Sequence, residues 1–150
     1  MTDVAFYHLE RSSLETALPK LLEKALAAGL RVVVKLGSEE RVEALNAALW
    51  TYEQGAFLPH GSARDGNAPD QPVWLTEGDD NPNGAAVLVL ADGAESDRIA
   101  DYARCLALFD GCDENALAAA RVRWKACKDK GFGLTYWRQT GAGGWQKQDL

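Results

Sequence analysis

Apolar residues along this chain follow two alternating patterns, short continuous runs and longer stretches with helical spacing. Residues 4–9 are a short aromatic and apolar run, and the apolar positions of residues 14–26 recur every three or four residues. This order predicts a β-strand followed by an amphipathic helix. Because a proline disrupts the interior of a helix, Pro19 leads us to expect the regular helix to begin only near Leu18. The β-branched run at residues 32–34 predicts a second, buried strand.

The middle of the chain is less regular. Residues 38–50 have the spacing of a second helix, whereas residues 51–84 are rich in Gly, Pro, Asn and Asp, which predicts loops with small strands. The continuous apolar run at residues 85–90 predicts a central parallel strand. Residues 96–104 have a helical composition, and residues 106–109 predict one more strand.

The last predicted element is a long helix from Asp113 to about Lys130, ended by Gly131. Strands separated by helices predict an α/β fold, a mostly parallel sheet with helices on both faces in one Rossmann-like domain. We assign residues 1–140 to this domain. Residues 141–150, which begin with a glycine-rich stretch, are expected to form a flexible tail.

Composition narrows the class of protein. A chain of 150 residues that is 47% hydrophobic can bury its apolar surface in one core. No run approaches the roughly 18 apolar residues of a membrane span, and the N-terminus does not have the pattern of a signal peptide. Three cysteines without a CxxC spacing argue against a disulfide framework or a zinc site. We therefore expect a cytoplasmic protein without a metal or cofactor.

Charge is distributed unevenly along the chain. Residues 1–120 contain 9 Lys or Arg against 20 Asp or Glu, a net charge of −11, whereas residues 121–150 contain 7 against 2, a net charge of +5. An acidic body repels the phosphate backbone of nucleic acids. The basic C-terminal part can still attract a short acidic partner.

A parallel α/β sheet raises the possibility of a nucleotide-binding enzyme, and the turns after the strands test it. The first turn, residues 10–13, has no glycine, and the second has only Gly37, followed closely by two glutamates. Neither a dinucleotide fingerprint nor a P-loop is present. Only two histidines are available, His8 and His60, and His60 is more simply a hydrogen-bonded structural residue or an interface contact than a catalytic base. A nucleotide-binding enzyme remains the alternative interpretation.

The long C-terminal helix carries a more specific pattern. Leu117, Arg121, Trp124, Lys125 and Lys128 recur every three or four positions, which places an aromatic ring among three cations on one stripe. Such a stripe suits an acidic peptide with an apolar end, because arginine can bind a carboxylate bidentately and an indole can line a pocket. In the alternative interpretation Leu117 and Trp124 pack inward and the cations only solvate the helix.

Several separated pieces of the sequence resemble one family. They are residues 6–9, residues 48–50, residues 57–60, residues 121–132 and Leu134. Together they resemble the chi subunit family of bacterial DNA polymerase III. The FLPH segment and the C-terminal RWKACKDKGF segment are the most specific parts of the resemblance.

The resemblance implies a non-catalytic accessory subunit of the clamp loader. Members of this family pair with the psi subunit and bind the acidic C-terminal tail of single-stranded DNA-binding protein, which ends in a phenylalanine carboxylate. By resemblance, Arg121 would bind the carboxylate and Trp124 would line the ring pocket. The full set implied for the tail is Arg121, Trp124, Lys125, Lys128, Leu117 and Trp50. No cofactor and no direct contact with nucleic acid are implied.

A second surface is implied for the psi subunit. Phe57 belongs to it by resemblance, with Leu58 and Pro59 as its neighbours. Two positions depart from the family pattern, because Trp124 stands where the pattern has tyrosine and Leu117 where it has lysine. A third interpretation, in which the basic helix and Trp124 bind single-stranded DNA directly by stacking, also remains open.

Overall fold

The computed structural model describes residues 2–10, 13–51, 60–62, 66–91, 93–140 and 144–148. The strands are β1 (Asp3–Leu9), β2 (Val32–Lys35), β3 (Gly61–Ser62), β4 (Val73–Thr76), β5 (Val87–Leu90), β6 (Arg104–Asp110), β7 (Gly133–Gln139) and β8 (Trp145–Gln148). The helices are α1 (Leu14–Ala27), α2 (Glu39–Thr51) and α3 (Glu114–Asp129).

The described strands form one eight-stranded sheet in the order β3-β4-β2-β5-β6-β1-β7-β8. Neighbouring strands are parallel, except that β8 runs antiparallel to β7. Helices α1 and α2 pack on one face of the sheet and α3 packs on the other. The predicted α/β fold, with a mostly parallel sheet and helices on both faces, is confirmed.

Side chains along the central strands point alternately to the two faces of the sheet, which divides the core into two layers. Val32 and Val34 point toward the α1 and α2 face, whereas Val33 points toward the α3 face. The layer under α3 contains Phe6 of β1, whose side chain is fully buried. Both faces of the inner strands are therefore covered, which explains why they read as continuous apolar runs.

Two helix predictions differ from the structure. Helix α1 begins at Leu14 rather than near Leu18, and Pro19 lies inside it with its ring buried, so that buried apolar contacts outweigh the one backbone hydrogen bond that proline removes. The helix predicted at residues 96–104 is only a 3-10 turn, Ile99–Asp101. Strand β6 already begins at Arg104, beside Val87 of β5, which leaves no length for a helix.

The C-terminal strands were not predicted from the pattern. β7 follows α3 directly, and β8 occupies residues 145–148 of the segment that composition assigns to a flexible tail. Trp145 of β8 packs edge-on against Tyr7 of β1, with ring centroids 5.0 Å apart. This part of the expected tail is therefore a strand of the sheet. None of the described helices combines the length and the apolarity that crossing a bilayer needs.

Candidate functional site

A cleft of about 530 Å³ lies between α3 and the outer strands on the same face of the sheet. It forms because α3 packs over the layer that contains Phe6, and β7 and β8 extend the sheet beyond it. The residues that line the cleft are His8, Glu10, Gly111, Leu117, Ala120, Arg121, Trp124, Tyr136, Arg138 and Gln148.

Helix α3 forms one wall of this cleft and is well defined at both ends. The Asp113 carboxylate caps its N-terminus by accepting from the backbone N–H groups of Asn115 and Ala116 at 2.9 and 3.3 Å. Gly131, in the left-handed region with φ of 80°, lies just past its C-terminus. Three residues predicted for the site, Leu117, Arg121 and Trp124, line the cleft together.

Trp124 contacts the core and the cleft at the same time. Its ring packs edge-on against Phe6 and Tyr136, with centroids 5.2 and 5.9 Å apart. The residue is only partly buried, and it lines the cleft. The two interpretations of this tryptophan, core packing and pocket wall, therefore both describe it.

The opposite wall comes from the carboxyl ends of β1 and β7. These strands pair in parallel, which places Phe6 beside Tyr136 and His8 beside Arg138. The Nδ1 atom of His8 is 2.6 Å from the Tyr136 hydroxyl, and its Nε2 atom is 3.4 Å from Glu10 Oε1. Burial lowers the pKa of His8, although the nearby Glu10 carboxylate opposes this. His8 is therefore uncharged at neutral pH, and its hydrogen-bonded ring forms part of the floor of the cleft.

Arg138 and Glu10 form an ion pair at the rim. The Nε of Arg138 donates to Glu10 Oε1 at 2.8 Å, and its Nη2 donates to the same oxygen. The hydrogen bond to Glu10 raises the pKa of Arg138. The cleft thus combines two arginines, one from each wall, with one carboxylate.

The two lysines predicted for the site lie on α3 outside the cleft lining. Lys125 and Lys128 are both exposed. With about 3.6 residues per turn, Lys128 continues the stripe of Leu117, Arg121 and Trp124, while Lys125 is turned further outward. Their charges therefore flank the cleft rather than fill it.

The remaining predicted residues belong to a different part of the molecule. The backbone of Trp50 lies near the end of α2, which packs on the opposite face of the sheet against β3 and β4, and its side chain is outside the described part of the chain. Phe57, Leu58 and Pro59 lie outside the described residues. His60 is buried, and its Nε2 is 3.1 Å from the carbonyl oxygen of Asn46 in α2.

A second cleft, of about 510 Å³, lies on the other side of α3 at the carboxyl ends of β1 and β6. The connections from these two strands leave in opposite directions, which is where open α/β sheets bind ligands. Its charged lining is mixed, with Glu15 paired to Arg41 at 3.1 Å. Asp113 also lines this cleft and already occupies the amide groups of α3 that a phosphate would use.

Groups that could hold a metal ion are not assembled in the described part of the chain, and two of its three cysteines are buried. No three His, Cys, Asp or Glu residues are grouped there to hold a metal ion. Cys105 and Cys127 are buried free thiols, and burial raises the pKa of Cys105 to about 12. Cys105 is therefore a poor nucleophile at neutral pH.

Reasoning from the sequence missed the wall opposite α3. Tyr136 and Arg138 sit two residues apart on β7 and point to one face, and His8 follows Phe6 in the same way on β1. The period-two spacing of 134, 136 and 138 is the available signal. It is short, and it becomes informative only once the segment after Gly131 is recognised as a strand.

Comparison with known proteins agrees with the resemblance. The sequence profile described as DNA polymerase III chi subunit, HolC, matches residues 1–135. A curated relative from Rickettsia prowazekii (strain Madrid E), described as "Probable DNA polymerase III subunit chi", is 30% identical over 109 residues. That alignment covers 73% of this chain and 66% of the relative, slightly less than two thirds of its length. The profile match takes in all of α3 and most of the sheet, and the chain therefore belongs to the DNA polymerase III chi subunit family.

Proposed function

We propose that this chain is a non-catalytic accessory subunit of the bacterial clamp loader. In this role it bridges the psi subunit and the acidic C-terminal tail of single-stranded DNA-binding protein. Family membership supports the general assignment to the replicative polymerase. The cleft beside α3, which combines an apolar wall with two arginines, is the observation that carries the proposal for the tail.

Charge favours an acidic partner at this cleft. Arg121, Lys125 and Lys128 lie within two turns of α3, while residues 1–120 have a net charge of −11. An acidic peptide is repelled by the body of the protein and attracted to this helix. The same charge distribution disfavours bare nucleic acid, whose phosphates would meet the acidic body over most of the surface.

The shape and chemistry of the cleft fit the end of a peptide chain. An aromatic side chain can pack against Leu117 or Trp124, which lie on the same face of α3 about two turns apart with Arg121 between them. A free carboxylate beside that ring would then reach the guanidinium of Arg121, which can bind it with two parallel hydrogen bonds. Lys125 and Lys128, at the flank, would attract the acidic residues that precede the aromatic one.

A second surface is proposed for the psi subunit. Phe57, Leu58 and Pro59 are assigned to it by family resemblance alone. The segment that carries them connects the end of α2 to β3, and both of these elements lie at the edge of the sheet farthest from β7 and β8. A chain that holds both partners would tether the clamp loader to the coated strand, and many tail copies on that strand would add avidity.

The test is a titration with a fluorescent acidic peptide that ends in phenylalanine with a free carboxylate. Arg121→Gln is expected to weaken binding by roughly tenfold or more, which corresponds to the loss of a charge-assisted contact. Arg123→Gln is the matched control, because it removes the same charge from the same helix but lies on the other cleft. Equal binding by wild type and Arg121→Gln would refute the assignment.

The second cleft, at the carboxyl ends of β1 and β6, supports a second candidate function, the binding of a small ligand such as a nucleotide. Its position favours this candidate, whereas Glu15, Asp110 and Asp113 in its lining disfavour phosphates. Calorimetry with ATP and magnesium separates the two proposals. Heat of binding that is lost in Arg41→Gln would establish the second candidate.

A further inference from the structure

The mouth of the cleft contains a carboxylate of the protein itself. Glu10 accepts hydrogen bonds from both Nε and Nη2 of Arg138 through one oxygen. A guanidinium can bind a carboxylate with two parallel hydrogen bonds along either of two edges, and Glu10 already takes the edge formed by Nε and Nη2. In the free protein Glu10 therefore occupies one of the two positions on Arg138 that an anionic ligand could use, and its negative charge offsets the positive charge of that guanidinium.

Arg121 and Arg138 line the same cleft as Tyr136. Burial raises the pKa of the Tyr136 phenol, and the positive charges of Arg138 and Arg121 both oppose that rise, so both guanidinium groups act on this one hydroxyl. The hydroxyl is held at 2.6 Å from His8 Nδ1. A carboxylate beside Tyr136 would thus meet one cation from α3 and one from β7.

The Glu10 carboxylate is weakly enough held to be replaced on Arg138 by another carboxylate. The side chain of Arg138 is 52% exposed and that of Glu10 is 24% exposed, so solvent screens their attraction. The backbone N–H of Glu10 is held separately, by a 2.9 Å hydrogen bond to the Gln139 side chain. The carboxylate of Glu10 can therefore leave Arg138 while the end of β1 stays in place.

We propose that Glu10 is an internal competitor for the ligand of this cleft. The terminal carboxylate of the partner peptide displaces Glu10 from Arg138 and is then held jointly by Arg121 and Arg138 around the Tyr136 hydroxyl. This inference rests on the proposed function, because it assigns further residues to the same site. It also explains why a charged chain end would be preferred over a neutral one, since an amide accepts weaker hydrogen bonds than the Glu10 carboxylate that it would have to replace on the guanidinium.

The inference predicts opposite effects at the two ends of the ion pair. In titrations with a short acidic peptide ending in a free phenylalanine carboxylate, Glu10→Gln should bind several-fold more tightly than wild type, because the competitor is removed. Arg138→Gln should bind several-fold more weakly, and Arg138→Lys should fall between it and wild type. The double variant Glu10→Gln/Arg138→Gln should match Arg138→Gln, because a competitor for the Arg138 guanidinium has nothing to compete for once that group is removed.

Two controls separate this mechanism from a general effect of charge. Glu15→Gln makes the same charge change at the other cleft, in the ion pair with Arg41, and should leave peptide binding unchanged. The same peptide with an amidated C-terminus should be insensitive to both Glu10→Gln and Arg138→Gln. Unfolding curves show whether each variant is folded. If Glu10→Gln does not fold, Arg138→Lys still tests the inference, because its affinity should lie between those of Arg138→Gln and wild type.

The outcomes also separate this inference from the proposed function. Binding of the free-acid peptide that depends on Arg121 but is indifferent to Glu10 and Arg138 would overturn the inference alone. Equal losses for the free-acid and amidated peptides in Arg138→Gln would overturn it as well. If the wild-type chain binds neither peptide, the proposed function fails and this inference fails with it.

Discussion

The imidazole of His8 occupies the space into which any side chain at Gly111 would project. A Cβ built on Gly111 would lie 1.8 Å from His8 Nε2, although the backbone there is not in the left-handed region. The glycine is therefore required by close approach and not by its own conformation. Its role is to leave room for the histidine that holds Tyr136 at the base of the cleft.

Gly111→Ala should accordingly lower the free energy of unfolding by about 1–3 kcal/mol, the usual cost of forcing an atom into a packed site. It should also weaken peptide binding, because His8 and Tyr136 must shift. Urea unfolding and the peptide titration measure the two effects. Gly131→Ala is a control in which the cost has a different cause. Gly131 has a φ of 80° and open space around the added Cβ, so only backbone strain arises, and the free energy of unfolding should fall by only about 1 kcal/mol.

A double variant tests the steric explanation directly. His8→Ala removes the ring that the new methyl group would meet, so adding Gly111→Ala to His8→Ala should cost much less than adding it to wild type. Equal costs in the two backgrounds would mean that Gly111 is needed for another reason.

Stability should depend on pH through His8. Burial lowers its pKa below the ordinary value of 6.5, while Glu10 and Asp110 oppose the shift and Arg138 adds to it. The unfolded chain therefore binds the proton more readily, and the contribution of His8 to stability is present above pH 6.5 and is lost as the pH falls below that value and through the lower pKa of the folded protein. Unfolding at about pH 7.5 and about pH 5.5 should show a larger loss in wild type than in His8→Gln. The same loss in both proteins would exclude His8 as the source.

Trp124 should tolerate another aromatic ring but not its removal. Trp124→Phe keeps a ring that can pack against Phe6 and Tyr136, and we expect binding of the acidic peptide to weaken only a few-fold. Trp124→Ala opens both the core layer and the cleft wall, and should lose about 2–4 kcal/mol of stability together with most binding. Val122→Ala is the matched control, because Val122 is 71% exposed on the same helix and should change neither measurement.

Strand β8 should contribute to the stability of the domain through Trp145. Its ring packs edge-on against Tyr7, and it lies against the core layer under α1 and α2. Trp145→Ala should therefore lower the free energy of unfolding by about 1–3 kcal/mol. Lys147→Ala, an exposed change on the same strand, should have little effect in the same urea titration. Wild-type stability in Trp145→Ala would show that β8 does not hold the sheet edge.

Local patterns were sufficient for the general architecture. The β-branched run at residues 32–34 and the apolar run at residues 85–90 identify inner strands, because strands covered on both faces have no polar alternation. Asp113 and Gly131 mark the ends of α3, because capping depends on the few residues at each terminus.

By itself the sequence determined the alternation of strands and helices as far as α3, apart from the helix expected at residues 96–104, and one wall of the cleft, the stripe of Leu117, Arg121 and Trp124 on α3. Both follow from periodicity within a single element. Only the tertiary structure decided the opposite wall, where His8 meets Tyr136 although 128 positions separate them in the chain. That contact depends on β1 pairing with β7 rather than with another strand. Pairing is decided by how the whole sheet buries its faces, which no local pattern specifies.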